Sequence, residues 1–494
     1  MATVKKEDLK AELVVIGGGG GGLAAAVAAA ERGVKKVMVL EALNAPGGNS
    51  LFPEGLFAVN SQLQKRTGIE TSANDSFRMI MDHAHWRLNS RLVRTLIDES
   101  GNTVDWLEGL GVKFELREEF GPNQPRVISP FRIIFPFRVG EGKTGLGIMK
   151  TLIKCCQDRG IQILCNTRAK KLVTNKGGVV NGVLAESEGR EFSISTKSVV
   201  IATGGFAGNK EMIKKYLPPF EDNDDVYIGA IPHQGDGVRM AEEVGAAMES
   251  TGAMELTVNR FPWSPFLFLL IKMPSMVWVN KRGERYADEA GFGGVNNLWK
   301  QPGKISYTLF DENIKQSSYQ QEISEMDKNY TGKFATLDEE IQRNPWLAVE
   351  NDLRAKTDTG RIKIADNWAE IARWMGVKTQ VLQTTIDEYN AGCDKKSDYF
   401  AKDPKFLIPL RQPPYYAIKT VLNLLVTHGV IRTSHRMEVL DKEDNPLPGL
   451  YVAGDDIGGT DENVYGALGG HSFGFALTSG RLAGENAAKY VLGK

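Results

Sequence analysis

The ten residues Val14-Val15-Ile16-Gly17-Gly18-Gly19-Gly20-Gly21-Gly22-Leu23 leave few ways to fold the chain around them. The β-branched run has the character of a fully buried strand, and it breaks directly into glycine. Residues Leu23 to Arg32 are alanine-rich, the composition of a helix packed tightly on a sheet. Gly17, Gly19 and Gly22 have the spacing of a dinucleotide-binding turn. The first allows the sharp turn, the second lets the backbone approach a pyrophosphate, and the third lets helix and strand close up. The helix start adds free N–H groups and a positive dipole end. A second strand, Val37-Met38-Val39-Leu40, ends at Glu41, about twenty residues on, where a carboxylate can accept ribose hydroxyls. Six glycines in a row also suit a flexible tract. The strand before them, the helix after them and the acid at the right distance select the dinucleotide reading.

A chain of 494 residues is too long for one compact core, so two or three domains are expected. Its 42% hydrophobic and 24% charged residues are those of an ordinary globular protein. A net charge of −1 offers no basic surface, so neither nucleic acid nor a membrane is an expected partner. Cys155, Cys156, Cys165 and Cys393 form no CxxC or zinc spacing and read as reduced thiols in a cytoplasmic protein. Met1 to Glu12 is charged and lacks the apolar core of a secretory signal. Phe261 to Val279 is apolar but interrupted by Pro262, Pro265, Lys272 and Pro274, a poor membrane span. His83 and His85, without further ligands, do not read as a metal site.

Past Glu41, the loop Pro46-Gly47-Gly48-Asn49-Ser50 suits a segment that hugs phosphates or a ring, and equally an ordinary loop. Residues 75–111 read as helical, 121–139 as a proline-broken loop carrying Phe131, Phe135 and Phe137, and 144–159 as a helix. Strands are expected across 161–184 and 192–195. A buried strand at Val199 then ends in Ala202-Thr203-Gly204-Gly205, where backbone can pass close beside a cofactor. Gly235-Asp236-Gly237 opens a helix expected to run to Ala247. From Met254 to Tyr415 prolines, tryptophans and longer polar helices take over. Glycine returns in Pro448 to Asp455 and in Leu468-Gly469-Gly470-His471-Ser472, before a last helix to Tyr490. The expected fold is α/β. A discontinuous Rossmann-type domain is built from residues 1–254 and 426–494, and an α+β cap is inserted at 255–425. No second Gly-x-Gly-x-x-Gly follows a strand, which points to one bound flavin served by an external electron donor or acceptor.

These segments, in this order, resemble the flavoprotein family of fumarate reductase and succinate dehydrogenase, with its 3-ketosteroid dehydrogenase relatives, over nearly the whole chain. The resemblance implies FAD, held at Gly17, Gly19, Gly22, Glu41, Ala42, Gly48, Asn49, Ser50, Gly55, Ala169, Ala202, Thr203, Gly204, Asp236, Gly454, Asp455, Ser472 and Phe473. Asn49 stands where succinate dehydrogenases tether their flavin through histidine, so noncovalent FAD is expected. Ser472 and Phe473 would lie against the pyrimidine end of the flavin, at the helix start.

The departures from that family are as informative. By the resemblance, the arginine proton donor of fumarate reductases falls on Gly293, in the run Arg285-Tyr286-Ala287-Asp288-Glu289-Ala290-Gly291-Phe292-Gly293. The arginine that clamps a substrate carboxylate falls on Ala467, and a substrate-binding histidine on Val426, with His428 two residues away. Without those cations a desolvated dicarboxylate has no compensation, so fumarate is not the expected substrate. Tyr465 stands four residues before Gly469, similar to the catalytic tyrosine of ketosteroid dehydrogenases, although Phe292 replaces a second tyrosine of the cap run. The expected protein is an FAD-dependent oxidoreductase. It reduces or introduces a C=C bond next to a carbonyl in an apolar, steroid-like cyclic enone, with hydride exchange at flavin N5 and Tyr465 handling the proton. His428, Arg432 and His471 are reserve candidates, and the aromatic run from Phe261 to Phe268 is a candidate pocket wall. Two alternatives stay open: a reductase of acrylate-type acids anchored by Arg432 or a cap lysine, and an electron-transferring subunit that needs a protein partner.

Overall fold

The computed structural model describes residues 9–494 apart from 54, 67, 69–71, 117–133, 137–143, 218–226, 229–230, 232, 250–252, 259–269, 272, 290–296, 319–349, 352, 356, 462 and 465–468. Strand β1 (Leu13–Ile16) is buried at every position, and helix α1 (Gly20–Glu31) starts four residues after it ends. Strand β2 (Val37–Leu40) and strand β3 (Gln162–Leu164) follow β1 in parallel register, each on the far side of the last. Such strands, covered on both faces, read as continuous apolar runs without alternation.

Strands β4 (Thr167–Thr174), β5 (Val180–Ser187) and β6 (Arg190–Ser195) make an antiparallel meander, and β7 (Ser198–Ile201) returns to pair in parallel with β1. A second sheet then begins at β8 (Ala253–Val258) and continues through β9 (Val277–Asn280) and β10 (Ile305–Asp311). Helix α2 (Thr379–Lys395) packs beside it, its C-terminal end against Asp398. The spine of this sheet is the long strand β11 (Tyr415–His428), whose first half pairs antiparallel with β10 and whose second half pairs antiparallel with β8. The chain then re-enters the first sheet through β12 (Glu438–Leu440) and β13 (Pro446–Val452), giving the order β12-β13-β7-β1-β2-β3. The last element is helix α3 (His471–Leu492).

Helices α1 and α3 lie backbone to backbone. A Cβ added at Gly480 would sit 2.2 Å from the Gly21 carbonyl oxygen, and one at Gly484 would sit 2.1 Å from that of Ala25. Alanine and glycine on both facing surfaces allow this approach, and it brings the N-termini of the two helices to the same end of the sheet.

Two expectations change. The segment read as one helix is two, Ala73–His83 and Ser90–Gly109. Ser72 and Asn89 each accept a backbone N–H of the first turn and cap the two helices separately, and His85 and Trp86 between them have positive φ. The helix that opens at Asp236 stops at Glu243, before Gly245 in the left-handed region. The four cysteines are free thiols. Among the described residues no helix is long and apolar enough to cross a membrane.

Candidate functional site

The carboxyl ends of β1, β2 and β7 open into a cleft. Its floor is the turn from β1 to α1. Gly17 has φ +109°, and a Cβ there would lie 2.0 Å from the Ala202 carbonyl oxygen, so the turn and the β7 loop can touch only through glycine. Gly22 permits a second close approach, since its Cβ would meet the Gly17 oxygen at 1.9 Å. Gly19 is different. Among the described residues a Cβ there would have nothing within 4 Å, and the residue faces the cavity. The protein alone therefore gives no packing reason for glycine at position 19; a ligand lying on the backbone would.

Glu41 is buried and closes the far side of the turn. The Gly18 N–H donates to Oε2 at 2.8 Å and the Leu43 N–H to Oε1 at 2.8 Å. Burial pushes its carboxyl above the ordinary glutamate range, against the amides of Leu43, Gly18 and Ala42. Each oxygen keeps a further lone pair for a sugar hydroxyl. On the opposite wall the Gly20 N–H donates to Ser50 Oγ at 3.0 Å, and the Ile231 N–H donates to Asn49 Oδ1 at 3.1 Å. Asn49 Nδ2 is buried with no acceptor among the described residues. A buried amide donor left over beside the cavity fits an acceptor-bearing ligand.

Gly17, Gly19, Glu41, Ala42, Gly48, Asn49, Ser50, Ala169, Ala202, Thr203, Gly204, Asp236, Gly454 and Asp455 all line this cavity. Ser472 lines a smaller cleft that shares Gly454, Asp455 and Ala476 with it, so the two spaces meet there. Gly22, Gly55 and Phe473 line neither. Gly22 serves helix–strand packing, Gly55 is buried, and the Phe473 ring lies 3.3 Å from where a Gly20 Cβ would be.

Several lining residues carry no motif of their own in the sequence. His233 borders the cavity over Gly204, and burial pushes its imidazole down to about 4, with Asp236 pulling the other way. Arg168 reaches the cavity and is paired with Asp236 at 2.9 Å. The adjacency of His233 to the Gly235-Asp236-Gly237 motif is a signal that could have located it. Asp456, next to the expected Asp455, turns the other way. Fully buried, it accepts the backbone N–H groups of Thr203, Gly204 and Gly205, and the Thr203 hydroxyl lies 3.0 Å from both its oxygens. Burial pushes this carboxyl up to about 6 in spite of those donors.

Around the smaller cleft the chain gathers a polar cluster. His471 Nε2 is 2.6 Å from Asp461 Oδ1, and His428 Nδ1 is 3.6 Å from Asp455 and 3.9 Å from Asp461. Burial holds the His428 imidazole below its ordinary range, Asp461 opposing this and His471 adding to it. Burial disfavours ionisation of Asp461, but His471 and His428 outweigh it and hold that carboxyl below the usual aspartate range. Asp461 follows Gly458-Gly459-Thr460, a turn-like run whose last acid was not singled out in the sequence.

Arg432 does not join this site. Its backbone N–H bonds the Ala247 carbonyl, its guanidinium faces Asp444 at 3.2 Å and Glu249 at 3.6 Å, and it lines neither space. Asp444 lies in the turn between β12 and β13 and Glu249 packs on the Gly458–Gly459 turn, and the two engage the guanidinium. Tyr465, Phe292, Gly293, Ala467 and the run from Phe261 to Phe268 lie outside the described residues, as do the side chains of Phe131, Phe135 and Phe137.

A parallel sheet with a glycine turn, an acid at the end of the second strand and a cleft across the strand ends defines a dinucleotide-binding protein. The chain belongs to the FAD binding domain family, whose model matches residues 12–472. Its cofactor is FAD, and it is an FAD-dependent oxidoreductase. The vinyl phenol reductase of Lactiplantibacillus plantarum is 29% identical over 99% of this chain and 98% of its own. The urocanate reductase of Eggerthella lenta is 29% identical over 97% of this chain and 74% of its own. Among solved structures, the open conformation of a flavocytochrome c3 fumarate reductase superposes with a TM-score of 0.73 at 27% identity, covering 98% of this chain and 79% of that one. The 3-ketosteroid-Δ4-(5α)-dehydrogenase of Rhodococcus jostii RHA1 shares the fold, with a TM-score of 0.75 at 24% identity over 99% and 98% of the two chains.

Proposed function

We propose that this protein reduces a C=C bond conjugated to an uncharged carbonyl or arene in an apolar substrate, an enone above all. The observation that carries this reading is the charge of the cleft beside the α3 start. Asp455 and Asp461 wall it, with His428, and among the described residues lining either space the one arginine, Arg168, is tied to Asp236. Asp461 already engages His471 at 2.6 Å, and the cleft sets no further arginine or lysine, among the described lining residues, against a desolvated carboxylate substrate; a neutral acceptor needs none. The direction of reduction is supported by relatives matched along most of the chain, whose names are those of reductases. The whole-chain match to a vinyl phenol reductase favours a second arm of the same reading, in which an arene carries the conjugation that a carbonyl carries in an enone.

FAD, when bound, supplies two-electron hydride chemistry. The chain supplies the rest. Gly17, Gly19 and the α1 start receive the phosphates, Glu41 the ribose, and Asn49 Nδ2 an acceptor edge. Asp456 fixes the Thr203-Gly204-Gly205 backbone under the cavity. Tyr465 moves the proton at the second carbon, and Arg432, held by Glu249 and Asp444, is not a carboxylate anchor.

The test is anaerobic reoxidation of the dithionite-reduced protein by a 4-ene-3-ketosteroid, 4-vinylphenol, a cinnamate and fumarate, with Tyr465→Phe alongside. Rapid reoxidation by one of the two neutral acceptors, slowed at least about a hundredfold in the variant, supports the reading. Rapid reoxidation by fumarate sinks it and implies cations beyond those described.

A further inference from the structure

We propose that Asp461, His471 and His428 form a proton store for the flavin site, which binds one proton when the cofactor is reduced and gives it up when the substrate takes the hydride.

The geometry is that of a compact cluster of ionisable groups in which His471 and Asp461 are at hydrogen-bond distance and His428 is coupled to them through charge. Asp461 sits between two imidazoles, at 2.6 Å from His471 Nε2 on one oxygen and 3.9 Å from His428 Nδ1 on the other. The two rings are nearly parallel, 19° apart, with centroids separated by 6.4 Å. Both histidines are buried, and the Asp461 side chain is only 11% exposed. Three parts of the chain meet here: the end of β11 brings His428, the loop after β13 brings Asp455 and Asp461, and the start of α3 brings His471. His83, at the end of the Ala73–His83 helix, also acts electrostatically on Asp461. The hydroxyls of Thr460, Ser472 and Ser479 complete the polar lining of the cleft.

The cluster is coupled to the cofactor site through Asp455. That residue lines both spaces, and its Oδ1 is 3.6 Å from His428 Nδ1. Burial holds the His428 imidazole below its ordinary range, and the ring stands between Asp455 and Asp461. Adding two electrons and one proton to FAD leaves one net negative charge in the cavity. Arg168, the one lining cation among the described residues, is committed to Asp236. A buried charge without a counter-charge is costly, and an imidazole flanked by two carboxylates is the group best placed to take up a compensating proton. The balance is complete. An external donor supplies two electrons, and two protons enter, one on the cofactor and one on the cluster. At turnover the hydride goes to one carbon of the C=C bond, Tyr465 gives a proton to the other, and the proton released by the cluster restores that tyrosine. The first half of this cycle rests on FAD binding alone; delivery to a C=C bond rests on the function proposed above.

Asp461 and the two histidines act through their charge and are positioning residues in this scheme. The experiment is therefore potentiometric and needs no substrate. The midpoint potential of bound FAD is titrated between pH 6 and 8 in the wild type, Asp461→Asn and His428→Gln. Each proton taken up with an electron pair adds about 30 mV per pH unit to the slope. A wild-type slope of about 60 mV per pH unit, falling to about 30 in either variant that retains FAD and its visible circular dichroism, is the expected result. A wild-type slope of about 30, or an unchanged slope of about 60 in the variants, overturns the proposal. Should both variants lose FAD, the wild-type slope together with His471→Gln decides on the same terms. Because no C=C acceptor is present, failure here leaves the proposed function standing, and failure of that function leaves the slopes to stand or fall on their own.

Discussion

Thr203 and Asp456 lie 253 positions apart in the chain and hold one another twice, since both the backbone amide and the hydroxyl of Thr203 donate to the Asp456 carboxylate. The Gly204 and Gly205 amides join them, and the Gly237 N–H donates to the other side of the Thr203 hydroxyl at 3.1 Å. One carboxylate thus ties the loop after β7 to the turn after β13 and, through Thr203, to the helix that opens at Asp236.

Asp456→Asn turns an acceptor into a donor that faces other donors. Leaving such amides unsatisfied costs about 1–3 kcal/mol. The expected outcome is an FAD dissociation constant raised by roughly 5- to 150-fold, read by recovery of free flavin fluorescence on dilution. An unchanged constant would show that the loop keeps its shape without the carboxylate.

Gly19→Ala should separate folding from cofactor binding. The added methyl meets no atom of the described residues within 4 Å, so the thermal stability of the FAD-free protein should change little. The FAD-loaded form should lose affinity as the methyl enters space the ligand needs, by about 1–3 kcal/mol. Gly17→Ala, whose methyl would strike the Ala202 carbonyl, should instead destabilise both forms. With Asn49 at the tethering position, acid precipitation of the wild type should leave all the flavin in the supernatant.

Glu289 anchors a buried ion cluster under the second sheet. Its oxygens accept from Arg285 Nε and Nη2 at 2.8 and 2.7 Å and from Lys402 Nζ at 3.1 Å, while Arg285 also pairs with Asp398. The Lys402 and Glu289 side chains are fully buried. Glu289→Gln leaves Lys402 without its counter-charge and Arg285 with Asp398 alone, and should cost about 3–5 kcal/mol, a fall in melting temperature of about 3–5 °C.

The same cluster sets an acid limit. Burial opposes ionisation of Glu289, but Lys402 and Arg285 outweigh it and hold the carboxyl below its ordinary 4.5. Asp398 is likewise held below 3.8, its burial outweighed by the Lys402 amide and the Arg285 guanidinium. The unfolded chain therefore binds these protons first as pH falls. Stability is full above about 4.5 and is lost as pH drops through the lower folded-state values. Melting temperatures between pH 6 and 3 should fall more steeply in the wild type than in Glu289→Gln.

Gly484→Ala probes the contact of α1 with α3. Its methyl would approach the Ala25 carbonyl to 2.1 Å, so the helices must separate. The expected cost is about 1–3 kcal/mol, seen as a lower denaturation midpoint, together with weaker FAD binding, because both helix starts face the cofactor space.

What could be read directly from the sequence is local. A strand, a glycine turn, an alanine-rich helix and an acid after the next strand are set within about thirty residues, and their spacing alone defines backbone geometry that suits a pyrophosphate. The loops at Gly48 and at Ala202 to Gly204 were legible from glycine as well, which the positive φ at Gly48 and Gly204 favours. Tertiary structure alone decided the roles of side chains that meet across hundreds of residues. In Asp455-Asp456 the backbone turn sends one carboxylate to the cavity and the other to the Thr203 loop. His428, Asp461 and His471 meet only because β11 ends where α3 begins, and Arg432 leaves the site because Glu249 and Asp444 lie closer to it. Sequence spacing carries the path of the backbone through one turn. Which polar groups share a buried space depends on how separate elements pack, and no local pattern encodes that.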